Sequence, residues 1–315
     1  MFKVRGIIVI ACFLGFAGAG AFGESKDFKS QLVAFRQAVE DYSAGESKKD
    51  NRQLLDIAAN YQAIIVATVH VDDNAKAILI NELNDIVQKD YDQNPGFVTK
   101  ISRVDCMYYS LLLGILREAD DRQLLTYVRD ASKSNFMRYD LKKSCFDQVI
   151  RLRISTYIKS PEKLNKFDKE FVEILDGFID PASGITIGNR RRLKRQFVMH
   201  LLGFELPTSK KMKFPAANKA HGIKLAKGVV EDTSISFQTK YWFMEQIAMY
   251  DPDIHDKFLE ELRKNVAVKN FPAKLRLKFA RKLAELGEAD EDMIKHLEQE
   301  VREKQKGRED EKAGA

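Results

Sequence analysis

Apolar residues recur at steps of three and four along nearly the whole chain. Phe28, Leu32, Phe35 and Val39 form one stripe, and Leu54, Ile57, Ala58, Tyr61 and Ile64-Ile65 form the next. Ile78, Leu79, Leu83, Ile86 and Val87 form a third. Such spacing puts each set on one face of a helix, and it predicts about a dozen helices and no strand pair. The β-branched run from Ile64 to Val69 suits a strand in isolation, but it continues a helical stripe without a break and is read as helix. Ser160-Pro161-Glu162 and Asp251-Pro252-Asp253 place a capping oxygen before a proline at the first helical position, then an acid at the positive end of the dipole. Asp72-Asp73, Asp120-Asp121 and Asp290 read as further caps rather than as catalytic acids.

The stripes also repeat. At an offset of 39, Cys106, Leu111, Leu113 and Ile115 match Cys145, Ile150, Leu152 and Ile154, and Leu125 and Val128 match Leu164 and Phe167. Further on, Phe243, Ile247 and Tyr250 match Phe279, Leu283 and Leu286 at an offset of 36. Phe258, Leu259, Leu262 and Val266 match Met293, Ile294, Leu297 and Val301 at 35. Two helices per repeat of this length is the pattern of stacked helical hairpins. The expected fold is all-α, an irregular HEAT-like solenoid of two lobes, with an irregular helical bundle as the alternative. The three glycines and one proline of Gly177–Gly188 mark a joint. The expected organisation is a helical domain over 24–178, a joint at 179–188, a second helical domain over 189–304 and a disordered charged tail over 305–315.

The first 23 residues fall outside this pattern. Lys3 and Arg5 precede an apolar run from Ile7 to Phe16, and small residues follow to Gly23, the layout of a secretory signal. The Gly18-x-Gly20-x-x-Gly23 spacing lacks the downstream strand and acid of a dinucleotide loop. Cys12 ends a relaxed lipobox, Val9-Ile10-Ala11-Cys12, yet the apolar run continues past it, so a lipoprotein is the less favoured reading, together with an uncleaved anchor. Cleavage near Ala21 or Gly23 is expected, giving an exported, periplasmic protein with no membrane span. Losing Lys3 and Arg5 lowers the net charge from +6 to +4, and five of the 17 glycines go with them. The scarcity of those that remain disfavours a turn-rich β protein.

An oxidising compartment permits a bridge between Cys106 and Cys145. Cys145 belongs to the Leu141–Val149 stripe and Cys106 lies beside the Val104–Tyr108 stripe, so either they meet at a shared seam or both are buried thiols. No nucleophile elbow, Walker loop, HExxH or CxxC occurs, and no two of the five histidines stand at ligand spacing. No metal and no cofactor is expected. His70-Val71-Asp72-Asp73 reads as a capped surface turn. Asp90-Tyr91-Asp92-Gln93-Asn94-Pro95-Gly96 begins like a calcium loop, but its glycine comes one place late and Ile101 stands where the bidentate Glu belongs. Tyr241-Trp242-Phe243-Met244 wraps most of a helix circumference, which reads as core rather than as a binding platform.

Charge is the distinctive feature. From Gly188 to Gly228 there are eleven basic residues, including Arg190, Arg191, Arg192, Lys194, Arg195, Lys210, Lys211 and Lys213, against the single acid Glu205. Leu193, Phe197, Leu201 and Phe204 supply an apolar stripe, with Asn189 as the expected cap and three arginines in the first turn. Cations there oppose the helix dipole, so helix stability does not call for them. An acidic partner explains them: a protein surface, anionic lipid, or another copy of the chain. The alternative is a solvated cationic face. Nucleic acid suits the charge but not an exported protein.

Two classes of function follow. The first is a non-enzymatic structural or assembly protein that docks other envelope proteins through the basic segment. The second is an exported helical enzyme, for example of the lytic type acting on the cell wall, for which Glu245, three residues after Trp242, is the nameable acid. The signal MFKVRGIIVIACFLGFAGAGAFG, followed by a basic helical chain without catalytic motifs, resembles the periplasmic flagellar-coiling proteins of spirochaetes. That resemblance implies a helical component of the flagellar filament sheath, imposing curvature by lateral packing and serving motility. It rests on overall character, so it assigns no residue a role.

Overall fold

The computed structural model describes residues 25–44, 50–94, 101–159, 161–202, 216–268, 271–288 and 291–313. Thirteen α-helices and one 3-10 turn occur among them, and no strand. The helices are α1 (Ser25–Ala44), α2 (Asp50–Val71), α3 (Asp73–Gln93), α4 (Arg103–Ala119), α5 (Asp121–Lys133), α6 (Tyr139–Lys159) and α7 (Pro161–Ile179). After the turn Pro181–Ser183 come α8 (Ile187–Leu202), α9 (Ala216–Val230), α10 (Phe237–Ile247), α11 (Pro252–Ala267), α12 (Ala273–Glu285) and α13 (Glu291–Ala313). The expected all-α class is therefore observed, and the Ile64–Val69 run lies within α2. The expected secretory signal at 1–23 lies outside the described residues.

The chain forms two compact units, Met1–Tyr127 and Val128–Ala315. In the first, every pair among α1 to α4 is in contact, so these helices form a cluster around one core. The α1 stripe of Phe28, Leu32, Phe35 and Val39 is buried there, as are Leu79, Leu83 and Ile86 of α3. Tyr108 of α4 enters the same core, its ring 5.7 Å from that of Phe35 and its hydroxyl donating to the Leu32 carbonyl at 3.3 Å. Arg36 closes the edge of the core by pairing with Asp105 at 2.6 Å.

The helix starts of this unit follow their side-chain chemistry. Asp72 accepts from the Asn74 amide at 2.8 Å and Asp120 from that of Gln123 at 3.0 Å, as capping predicts. Ser102 caps α4 by accepting from the Asp105 amide at 3.0 Å. His70 bonds to the Ala119 carbonyl and Lys76 reaches Asp120 at 2.8 Å, so the acids of this turn act as caps and ion-pair partners.

In the second unit the main contacts run between helices adjacent in sequence, from α6 through α13, with α6 also touching α8. That order is compatible with stacked hairpins. The repeat is visible in burial: Phe243 and Ile247 of α10 and Phe279 and Leu283 of α12 all lie in one core, joined by Phe258, Leu262 and Leu297. Phe237 and Tyr241 of α10 each place their rings 5.3 Å from Phe279 of α12. Asp251 caps α11 ahead of Pro252, as expected.

The expected joint at 179–188 falls inside the second unit as the turn between α7 and α8. Asp180 caps it by accepting from the Ala182 amide at 2.7 Å. Gly177 lets α7 approach α5, since a Cβ there would lie 2.8 Å from the Ser132 Oγ, and Gly184 reverses the chain at φ +70°. The charged end from Gln305, expected to be disordered, continues α13 as far as Ala313. Lys, Glu, Gln and Arg favour helix, and Lys304 pairs with Glu300 one turn earlier at 2.8 Å.

Candidate partner-docking surface

The basic segment begins on α8. Its first backbone bond runs from the Arg190 amide to the Thr186 carbonyl at 2.9 Å, so the helix starts at Ile187 and Asn189 is not its cap. The earlier start follows from Ile185, which is buried and anchors the chain just ahead of the helix. Arg190, Arg191 and Arg192 consequently stand at the fourth to sixth helical positions, past the first turn where the dipole opposes cations most. Leu193, Phe197 and Leu201 are buried as their spacing predicts, with Val198 and His200 added. Phe204, Lys210, Lys211 and Lys213 lie outside the described residues.

Two groups stand out among the described cations of this segment. Arg195, Lys219 and Lys227 are matched within the second unit. The Arg195 guanidinium lies 4.7 Å over the Trp242 ring, the Lys219 ammonium lies 3.7 Å over the Tyr250 ring, and Lys227 pairs with Asp251. Trp242 is thus half-buried and engaged by a cation, neither wholly core nor an open platform. Arg190, Arg191 and Arg192, in contrast, make no ion pair among the described residues. Arg192 is exposed and the other two are half-buried. Their crowding is felt by Lys194, whose pKa is lowered by burial and then by Arg190 and Arg191. Asp232 is near enough to Arg191 to be lowered slightly by it, although its hydrogen bonds from Ser234 matter more.

Beneath α8 lies a buried polar system that the stripes alone do not reveal. Arg153 of α6 is fully buried and donates from Nε to Asp168 Oδ1 of α7 at 2.6 Å. Asn218 of α9 donates to the other oxygen of Asp168, so one carboxylate ties three helices together. His200 is buried nearby, and its pKa is pushed down to about 3 by burial and by Arg153. Lys142, also fully buried, donates to the carbonyls of Ser132 and Ser183, and burial pushes its pKa down to about 8. A signal for both residues exists in the sequence: Arg153 continues the Leu141–Cys145–Val149 stripe by four, and Lys142 is followed by Cys145, Phe146 and Val149. Helix α6 is buried on most sides, so these two charges sit where an apolar side chain would otherwise be.

The remaining sequence candidates are placed as follows. Cys145 is buried and Cys106 half-buried, and they belong to different units. Asp90, Tyr91, Asp92 and Gln93 are helical, the last turn of α3, which is not the conformation of a calcium loop. No group of three metal-ligating side chains occurs among the described residues. Glu245 pairs with Lys282 at 2.9 Å. It lines an open cleft of about 870 Å³ between α10, α12 and α13, together with Tyr241, Leu275, Lys278, Arg281 and Val301. Tyr241 at its floor has its pKa raised to about 12, chiefly by burial and then by Glu245. Among the described residues, no helix is long and apolar enough to cross a membrane.

Comparison with known proteins finds no matching family model, no similar curated protein and no similar solved structure.

Proposed function

We infer that the protein is a non-enzymatic structural or assembly component of the cell envelope, exported by its N-terminal segment. It docks acidic neighbouring proteins through the face of α8. The observation that carries this reading is the row Arg190, Arg191 and Arg192, which has no ion pair among the described residues, beside a lysine whose proton is already disfavoured. An acidic surface brought against this row would relieve the like-charge crowding and gain attraction. The matched cations Arg195, Lys219 and Lys227 brace α8 and α9 against the helices that follow, holding the unmatched row on a rigid support. With the resemblance to flagellar-coiling proteins, the filament sheath becomes the place of action, and lateral docking the means by which curvature is imposed.

The competing enzymatic reading needs Glu245 as a proton donor. Its carboxylate is already engaged in an ion pair with Lys282 at 2.9 Å, a contact that would have to break for that task. Cross-linking in intact cells, followed by identification of the captured proteins, tests the proposal. The wild-type chain should capture an acidic envelope protein, and Arg190→Glu/Arg191→Glu/Arg192→Glu should lose it while keeping its helical circular dichroism. Equal capture by both chains would refute the assignment of α8. Wall-degrading activity abolished by Glu245→Gln would refute the non-enzymatic reading.

A further inference from the structure

The division into two units exposes a separation of charge. Residues up to Tyr127 carry 14 Lys and Arg against 17 Asp and Glu, whereas those from Val128 carry 38 against 29. Without the first 23 residues the first unit becomes more acidic still, since Lys3 and Arg5 are the only charges lost. The whole cationic excess of the second unit lies between Gly188 and Gly228; outside that segment its basic and acidic residues nearly balance. The chain therefore carries on its own first unit the kind of charge that the unmatched α8 row lacks.

The surfaces suit such a pairing. Ile187, at the start of α8, is 59% exposed beside the arginines and offers an apolar contact within the charged patch. On α3 of the first unit, Asp85 and Asp92 are both exposed and stand seven residues apart, so they share a helix face. Lys89, between them, is the one cation on the exposed side of α3, where Asn81, Asn84 and Gln88 are otherwise neutral.

We propose that the occupant of the α8 face is the acidic first unit of a second copy of this chain, so that copies join head to tail. This rests on the docking reading above and names its partner. Such an interface is heterologous: each added copy leaves one donor and one acceptor surface unused, so growth ends only in a ring or continues as a filament. Attraction between separated charges also makes the assembly salt-sensitive, because mobile ions screen exposed pairs.

Sedimentation velocity of the purified chain, at about 20 mM and about 0.5 M sodium chloride, tests the proposal. Species larger than a monomer are expected at low salt, dissolving to monomer at high salt. Arg190→Glu/Arg191→Glu/Arg192→Glu and Asp85→Lys/Asp92→Lys should each weaken low-salt association by at least about tenfold. Mixing the two should restore association, because each keeps the surface that the other has lost. Neutral Arg190→Gln/Arg191→Gln/Arg192→Gln provides a milder change, and circular dichroism checks that every variant stays helical. A wild-type chain that remains monomeric at low salt overturns the proposal, as does a reversed variant that still associates or a mixture that does not recover. If the wild type is monomeric yet cross-linking still captures an acidic protein through α8, the docking reading stands and self-association alone falls.

Discussion

Replacing Asp168 by alanine removes the acceptor of two buried donors at once. Arg153 Nε lies 2.6 Å from Oδ1, the Arg153 side chain is fully buried, and Asn218 of α9 bonds to the other oxygen. The substitution leaves a guanidinium charge without its counter-ion in a region that excludes water. Breaking a buried pair in this way costs about 3–5 kcal/mol. Domain stability is typically about 5–15 kcal/mol, so a large fraction of the folded population is at stake. Asn218→Ala, which leaves the ion pair intact and removes one bond to a charged group, should cost less, about 1.5–3 kcal/mol. Arg153→Met/Asp168→Leu removes both charges together and should fall well short of the sum of the single losses, the non-additivity expected of direct partners. Urea unfolding at neutral pH measures these three variants and the single changes Arg153→Met and Asp168→Leu, with fluorescence of the sole tryptophan, Trp242, reporting on the second unit. An Asp168→Ala variant within about 1 kcal/mol of wild type would refute the idea that this carboxylate organises α6, α7 and α9.

Lys142 and His200 shape the pH profile with the same sign in different windows. The native pKa of Lys142 is about 8 because burial disfavours its charge, so between there and its ordinary value the unfolded chain binds the extra proton. Its contribution to stability should therefore rise with pH across that window, by about 1.4 kcal/mol per unit at the steepest, and Lys142→Met should abolish the rise. A wild-type minus variant difference that is flat from pH 8 to 10.5 would contradict this assignment. His200, held neutral down to about pH 3, acts in the same direction at lower pH: the unfolded chain takes up a proton below about pH 6.5, so stability falls on acidification. His200→Leu should flatten that acid limb in urea titrations, and an unchanged slope would count against it. Gly184→Ala places a Cβ on a residue at φ +70° and should cost about 1–2 kcal/mol, measurable as a lowered thermal midpoint. The same change at Gly188, where a Cβ meets nothing within 4 Å, should be nearly neutral, and equal losses at the two would refute the backbone explanation.

Local regularities were readable without coordinates because they depend only on residues a few places apart. The stripe Phe28–Val39 is buried as spaced, Asp72, Asp120 and Asp251 cap helices as their types require, and the C-terminal repeat reappears as matched buried positions in α10 and α12. Residue type puts the start of α8 three residues late, because Asn189 is a good cap by type, whereas the chain is anchored by buried Ile185 and the helix begins at Ile187. Arg195 looked like its neighbours Arg191 and Arg192 in sequence. Only packing against α10 sets it over Trp242 and removes it from the unmatched row.

The chain by itself determined its helical class, its caps and its lopsided charge, all consequences of side-chain type and near-neighbour spacing. Tertiary structure decided which charges find partners. It put Arg153 against Asp168, fifteen residues away, and Lys142 against Ser183, forty-one away, while leaving Arg190 to Arg192 unmatched among the described residues. The reason is physical: an ion pair depends on distance and dielectric in three dimensions, and helix packing sets both.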